Sequence, residues 1–277
     1  MISVLILTLN EEVNLKRCLD SVKWSDDIVV LDSYSTDRTL EIAREFNARV
    51  AQRKFDDWAS HQNWANQNIE FKHRWVYYSD ADEVVPPDLR EEMLATIKAS
   101  GNSHAAYRLR YRNFFLGRWI RHCGIYPVWV IRLFRPDRVE WERLVNPVPR
   151  VDGQIGTLKA HFEHYSFNKG FDAWIDKHNR YSRDEALESI RSLKEHVVDW
   201  RGLSPFAEPA RRRRTLKEVS FRLPSRPLLR FLYMFFLRLG FLDGLPGFHY
   251  CVLLSIYEYM IVLKILEIER RKRGQPV

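Results

Sequence analysis

The chain opens on a near-continuous apolar run, Ile2-Ser3-Val4-Leu5-Ile6-Leu7-Thr8, rich in β-branched residues. An uninterrupted run of this kind predicts a central parallel strand covered on both faces. Leu9-Asn10-Glu11-Glu12 breaks it. Asn10 reads as a helix N-cap, because Val13, Leu15, Cys18, Leu19 and Val22 then recur at roughly helical spacing. A second buried strand over residues 27–31 runs into Asp32-Ser33-Tyr34-Ser35-Thr36-Asp37. Leu40, Ile42, Ala43 and Phe46 mark a second helix. Residues 48–51 predict a short third strand, and residues 58–69 a helix rich in Asn and Gln. Residues 75–79 form the next strand, which leads directly into Asp80-Ala81-Asp82-Glu83.

Strands alternating with helices imply right-handed crossovers and a mostly parallel, Rossmann-like sheet with flanking helices, an α/β class. In such sheets the ligand sits beyond the carboxyl ends of the strands. Residues 8–10, 32–35 and 80–82 all fall at predicted strand ends, so three polar segments converge on one edge. No GxGxxG follows the first strand and no GxxxxGK[ST] occurs anywhere. Phosphates would therefore be held by a metal ion rather than by a glycine cradle. Asp80 and Asp82 stand two apart, so on an extended chain both face the same side. Their oxygens suit a hard divalent ion such as Mg²⁺. The alternative is an acidic loop capping the next helix, since Pro86-Pro87-Asp88 follows. Asp32 reads equally as a contact to a base or ribose and as a turn residue.

Charge adds an anionic partner to this picture. The 277 residues carry a formal net charge of +8, and 45% are hydrophobic, enough to bury a full core. Nucleic acid is not expected, because the basic residues are not interleaved with a reading motif. Cys18, Cys123 and Cys251 lie far apart with no CxxC spacing, which argues against structural zinc and against a disulfide framework. The N-terminus lacks the basic region of a signal peptide.

Thr8-Leu9-Asn10-Glu11-Glu12, Asp32-Ser33-Tyr34-Ser35-Thr36-Asp37 and Asp80-Ala81-Asp82-Glu83 stand in the order and spacing of family 2 glycosyltransferases. The chain resembles the branch of lipopolysaccharide-core glucosyltransferases of the WaaE type. The resemblance covers the first half well. It continues weakly through residues 126–135 and His164-Tyr165-Ser166. It implies a GT-A fold and an inverting transfer from a nucleotide sugar, with a UDP-sugar expected. It also implies that Thr8, Asn10 and Glu12 lie against the nucleotide and that Asp32 contacts uracil or ribose. Asp80 would contact ribose or the metal shell, and Asp82 would bind the metal, Mg²⁺ or Mn²⁺. His164 would complete that shell, and imidazole favours Mn²⁺; a structural histidine is the alternative, for His161 as for His164.

An inverting transfer needs a general base, usually a carboxylate. Related proteins show a His-Glu pair where this chain reads Val145-Asn146-Pro147-Val148. Glu142 is the expected substitute, with Glu140 as a second choice. A catalytically decayed nucleotide-sugar-binding protein with a scaffolding role is the other reading this departure leaves open. Nucleotidyl transfer would bring a Gly-rich, basic loop after the first strand, which Leu9-Asn10-Glu11-Glu12 is not.

Residues 105–115 alternate as a strand, residues 114–122 read as an aromatic and basic loop, and residues 128–134 as another strand with Arg132 and Arg135 near its end. These would build the acceptor side, since aromatics stack on sugars and arginines pair with phosphates. Snorkelling arginines on an ordinary core are the plain alternative. A helix over 171–188 carries Lys177, Arg180 and Arg183, near where a phosphate-bearing acceptor could come. Pro205 and Pro209 suggest a boundary, giving a GT-A domain over 1–204 and a basic, amphipathic helical region over 205–277. Arg211 to Arg214 form a cationic cluster, and each such residue near an anionic bilayer is worth ~1 kcal/mol. The apolar run 228–239 is too short to span a membrane, and 248–266 contains Glu258 and Lys264. Spanning takes about 20 apolar residues, so both runs read as interfacial or re-entrant helices on the cytoplasmic leaflet. Their alternatives are one spanning pass and burial in a homodimer interface. The partners expected are thus a nucleotide sugar, a lipid-linked or lipopolysaccharide-core acceptor and an anionic membrane surface. The location expected is cytoplasmic, peripheral on the inner face of the cell membrane.

Overall fold

A computed structural model describes residues 1–99, 101, 103–142, 148–195, 199–204, 207–208, 211–212, 215, 219 and 225–277. Two compact units divide the chain: residues 1–119 with 125–169, and residues 120–124 with 170–277.

The first unit is built on one mixed sheet. Its strands are β1 (Ser3–Thr8), β2 (Ile28–Asp32), β3 (Arg49–Gln52), β4 (Val76–Asp80), β5 (Glu83–Val84), β6 (His104–Phe115), β7 (Arg118–Trp119), β8 (Trp129–Phe134) and β11 (Gln154–His164). Their order is β3-β2-β1-β4-β8-β6-β11-β5, with β7 on β6. The first four strands are parallel, as the alternation with helices predicts. β8 then runs antiparallel to β4 and β6, while β11 is parallel to β6. A small antiparallel pair joins β9 (Val139–Glu142) to β10 (Val148–Val151).

β1 is buried throughout and apolar between Ser3 and Thr8, because both its faces are covered. Ile2, Val4 and Ile6 pack with α1 (Leu15–Val22), α2 (Thr39–Glu45) and α4 (Pro87–Ala99). Leu5 and Leu7 face the other way, toward α3 (Trp58–Asn68) and Trp141. The alternation of side chains along each strand divides the core into these two layers.

Two local expectations are corrected. Asn10 is not the N-cap of α1; it has a left-handed φ of 54°, and Asn14 precedes the helix. The Asn10 side-chain oxygen instead accepts from the Thr36 amide at 2.8 Å. Residues 114–122 are not simply a loop. β6 runs on to Phe115, and a two-residue turn, Leu116-Gly117 with φ 47° and 73°, returns it as β7.

The second unit is helical, with α5 (Gly170–Glu195), α6 (Arg226–Leu232), a π-helical turn (Tyr233–Leu237) and α7 (Gly244–Lys272). Asp243 precedes α7, and Gly244-Leu245-Pro246-Gly247 form its first turn, where proline lacks no needed hydrogen bond. The reversal before α7 is tight. A Cβ on Gly240 would meet the Met234 carbonyl at 2.8 Å, and one on Gly247 would meet the Gly240 carbonyl at 2.4 Å.

The two charges in the apolar run of α7 have partners. Glu258 is buried against Arg226, at 2.6 Å, and Arg230. Lys264 donates to Asn179 Oδ1 at 2.7 Å. Among the described residues, no helix is long and apolar enough to cross a membrane. Compact packing parts the chain at Lys169/Gly170, and α5 packs on α7.

Candidate active site

Strand register brings the predicted polar ends together. Thr8 stands beside Asp32 and Leu7 beside Asp80, so the carboxyl ends of β2, β1 and β4 share one edge. This is the edge at which parallel sheets bind ligands.

Asp32 is fully buried and organises the loop after β2. Its Oδ1 accepts from Thr8 Oγ1 at 3.0 Å and Ser35 Oγ at 2.5 Å. Its Oδ2 accepts from the Ser35 amide at 2.9 Å and Gln52 Nε2 at 3.1 Å. The loop after β1 is tied to the same turn. Asn10 N donates to Ser35 Oγ at 2.8 Å, Glu12 N donates to Asp37 Oδ2 at 3.0 Å, and Glu12 Oε2 accepts from Arg38 N at 3.1 Å. Thr8, Asn10, Glu12 and Asp32 thus form one hydrogen-bonded cradle.

Beside it stands an acidic cluster held by a cation. Arg132 on β8 donates to Asp80 Oδ2 at 2.7 Å and also pairs with Glu83. The Tyr78 hydroxyl donates to the other Asp80 oxygen at 2.6 Å. Glu83 is 1% exposed and Arg132 12% exposed by side chain, so this is a buried pair whose charges must compensate each other. Burial pushes the Glu83 carboxyl up to about 8, with Arg132 pulling it down and Asp80 pushing it further up. Burial works against charge on Arg132, but the Glu83 and Asp80 carboxylates more than reverse that and keep it cationic.

Asp82 points to a different partner. Its Oδ2 lies 3.4 Å from His164 Nε2, and its carbonyl accepts from the Tyr165 amide at 2.9 Å. His164 ends β11, paired in register with Glu83, and its ring meets Tyr111 edge-on. Burial lowers the basicity of His164, but Asp82, with Glu83 and Asp80 behind it, raises it overall. Among the described residues, no group of three His, Cys, Asp or Glu side chains is set to hold a metal ion. Asp82 and His164 together offer one carboxylate and one imidazole. Such a pair would supply two of the positions of a divalent ion and leave the rest to other oxygen donors. Both oxygens of Asp80 are taken, by Arg132 and Tyr78.

Glu142 ends β9, exposed, with Arg150 at 3.9 Å. It adjoins Trp141, whose ring centroid lies 6.4 Å from that of Tyr78, the residue that holds Asp80. Asn146-Pro147 lies outside the described residues, as do Pro205, Pro209, Arg213 and Arg214. Glu140 is also exposed, facing Arg150 in register. His161 is engaged elsewhere, 2.9 Å from the Tyr126 hydroxyl.

The structure brings three residues to this edge that pattern reading did not name as site residues, Tyr78, Glu83 and Lys169, and it sets Arg132, expected on the acceptor side, against Asp80 and Glu83 instead. Lys169 reaches the loop after β1, at 3.2 Å from the Leu9 carbonyl and 2.5 Å from Glu11 Oε1. A signal existed for Arg132, a charge set in the apolar stretch 128–134, and such a charge needs an opposite partner.

The comparisons with known proteins agree with this geometry. The family model of glycosyl transferase family 2 matches residues 3–160, more than half of the chain. An uncharacterized glycosyltransferase of Rickettsia typhi is 25% identical over 286 residues, covering 99% of this chain and 89% of the relative. The lipopolysaccharide core biosynthesis glycosyltransferase LpsC of Rhizobium meliloti is 23% identical over 273 residues, covering 96% of this chain and 92% of the relative. Among solved structures, a mannosyltransferase of Pyrobaculum calidifontis in complex with GDP-Man and Mn²⁺ superposes with a TM-score of 0.52. The identity there is 13%, with 96% of this chain and 86% of that one covered, a likeness of the GT-A fold.

Proposed function

The chain belongs to glycosyl transferase family 2, and from that premise we propose that it moves a hexose from a nucleotide sugar, a UDP-sugar by our reading, to a lipid-linked or lipopolysaccharide-core acceptor with inversion. The observation that supports this most is the placing of Asp32, Asp80 and Asp82 along one carboxyl edge of the sheet. The lipopolysaccharide role printed for the Rhizobium relative supports the acceptor class.

In this reading Thr8, Asn10 and Glu12 shape the floor under the nucleotide. Asp32 holds base or ribose when one of its four donors yields, and exposed Gln52 is the donor most able to swing away. Asp80, fixed by Arg132 and Tyr78, presents a rigid edge to the ribose. Asp82 and His164 hold a divalent ion, Mn²⁺ or Mg²⁺, which when bound offsets the charge that builds on a departing nucleoside diphosphate. Glu142 takes the proton from the acceptor hydroxyl.

The second unit supplies the membrane side of the proposal. Phe236, Leu237, Phe241, Leu242 and Leu245 are exposed around the reversal before α7, with Leu237 76% and Leu245 73% exposed. An apolar tip flanked by arginines suits an anionic bilayer surface. Peripheral attachment to the inner face of the cytoplasmic membrane, with residues 205–277 as the attaching region, is the arrangement we propose.

Calorimetric titration of UDP with and without Mn²⁺ tests the donor site. Metal-dependent binding supports it, and binding of GDP in place of UDP would change the donor only. Absence of binding by every nucleoside diphosphate with every divalent metal would overturn it.

A further inference from the structure

β6 carries Arg108, Arg110 and Arg112 at alternate positions, so all three project from one face of the sheet. Two-residue steps along a strand put them over about 13 Å, longer than a single sugar ring. Trp129 lies opposite Arg110 in register and is 40% exposed, with the Arg108 and Arg110 guanidinium groups 5.2 Å and 4.8 Å from its ring centroid. Arg112 lies 5.2 Å from the Trp119 centroid.

The hydrogen bonds of this strip are incomplete. Arg108 donates to Thr157 Oγ1 at 3.1 Å and Arg110 to the Lys159 carbonyl at 2.9 Å. The Nε atoms of Arg110 and Arg112 are buried without a hydrogen-bond partner. Among the described residues, no carboxylate is within ion-pair distance of any of the three. Glu163, across from Arg112 in register, accepts instead from the Tyr165 hydroxyl at 2.7 Å. Buried donors are normally satisfied, and two unpartnered Nε–H groups on a row of three arginines without an acid call for an external anion.

We propose that this face is a binding platform for an anionic saccharide, with sugar rings on Trp129 and phosphate or carboxylate groups on Arg110 and Arg112. An exposed indole supplies an apolar face for a ring. A guanidinium fork grips phosphate or carboxylate through two parallel hydrogen bonds. The row ends beside the acidic site: Arg112 pairs with Glu163 and the next position, Asn113, with His164. As the acceptor side of the transfer proposed above, on which this assignment rests, the platform selects acceptors that bear negative charge near the reacting hydroxyl.

The test titrates mannose 6-phosphate and glucuronate, with mannose and inorganic phosphate as controls. It follows the arginine Nε–H and tryptophan indole N–H resonances of the full chain. The two anionic sugars are expected to shift resonances that disappear in Arg110→Ala, Arg112→Ala and Trp129→Ala, and to bind more tightly than either control. Arg112→Ala should weaken mannose 6-phosphate about tenfold, as loss of a charge-assisted hydrogen bond does. Arg112→Lys should recover part of that loss, and UDP binding should be unchanged. The assignment is overturned if inorganic phosphate binds as well as the sugar anions, or if the variants, including surface-exposed Trp129→Ala, leave sugar affinity unmoved. UDP titrated into the same samples separates the two readings: a chain that binds sugar anions but not UDP keeps this platform and loses the donor site.

Discussion

Arg132 Nη2 lies 2.7 Å from Asp80 Oδ2, which joins a strand from the second half of the sheet to the acidic end of β4. The same guanidinium holds Glu83, so two acids depend on one cation. Arg132→Met should destabilise the fold by about 3 kcal/mol, the usual cost of stranding a buried charge. Urea denaturation measures it. A loss below ~1 kcal/mol would show that the acids compensate each other by sharing a proton.

Asp82→Asn should abolish the metal-dependent part of UDP binding, while Asp80→Asn should weaken binding without removing its dependence on metal. His164→Ala should lower affinity for Mn²⁺ more than for Mg²⁺, because imidazole suits the former. Calorimetry with each metal distinguishes the three variants. Unchanged metal dependence in Asp82→Asn would remove its ligand role.

Glu142→Gln should lower turnover by about 10²–10⁴, the range lost with a general base, and leave UDP affinity intact. Donor consumption in a membrane fraction that supplies acceptor gives the rate. Normal turnover would pass the role to another carboxylate, with Glu140 the next to test.

Leu237→Asp and Leu245→Asp should release the protein from anionic vesicles, since each removes an exposed apolar side chain worth up to about 2 kcal/mol when buried. Both positions face solvent, so denaturation midpoints should hold. Co-sedimentation with phosphatidylglycerol vesicles is the readout, and retained binding in the double variant would sink the proposed tip.

His61 gives a pH dependence with a definite sign. It is 1% exposed, its Nδ1 accepts from Arg53 Nη1 at 2.9 Å, and its Nε2 faces Ser33 Oγ at 3.4 Å. Burial, helped by Arg53, lowers it from 6.5 to about 4. A group whose folded value is depressed stabilises above its unfolded value and loses that contribution as pH falls. His61 should therefore cost the fold up to roughly 3 kcal/mol between pH 6.5 and 4. His61→Asn keeps an acceptor for Arg53 and should lose less stability over the same interval, as paired urea titrations would show.

The strands that carry this site were legible because β1, β2 and β4 are buried on both faces, which makes them nearly uniform in hydrophobicity. Their ends were legible because Asp32, Asp80 and Asp82 interrupt that uniformity abruptly. β11 was less so: register shifts at Gln154/Ile155 and Thr157/His161 break its alternation, and its pairing with β6 is non-local. The grip of Arg132 on Asp80 spans 52 positions, beyond the reach of any local pattern. Glu258 looked like a charge tolerated within an apolar run, because the arginines that neutralise it sit on another helix.

Residues 120–124 belong with the second unit although the chain on either side belongs with the first. Ile120 and Cys123 are buried there, and Asp243 accepts from the His122 amide at 2.8 Å, across 121 positions. During synthesis this short segment leaves the ribosome long before α7 exists, at a pace of about 5–20 residues per second. The sheet can close its hairpin at Leu116-Gly117 early, yet Ile120 and Cys123 wait for α7 to cover them. The chain is therefore stitched rather than strung. Cutting away the C-terminal helices would bare Ile120 and Cys123, so the proposed bilayer contact is better dissected by single substitutions than by truncation.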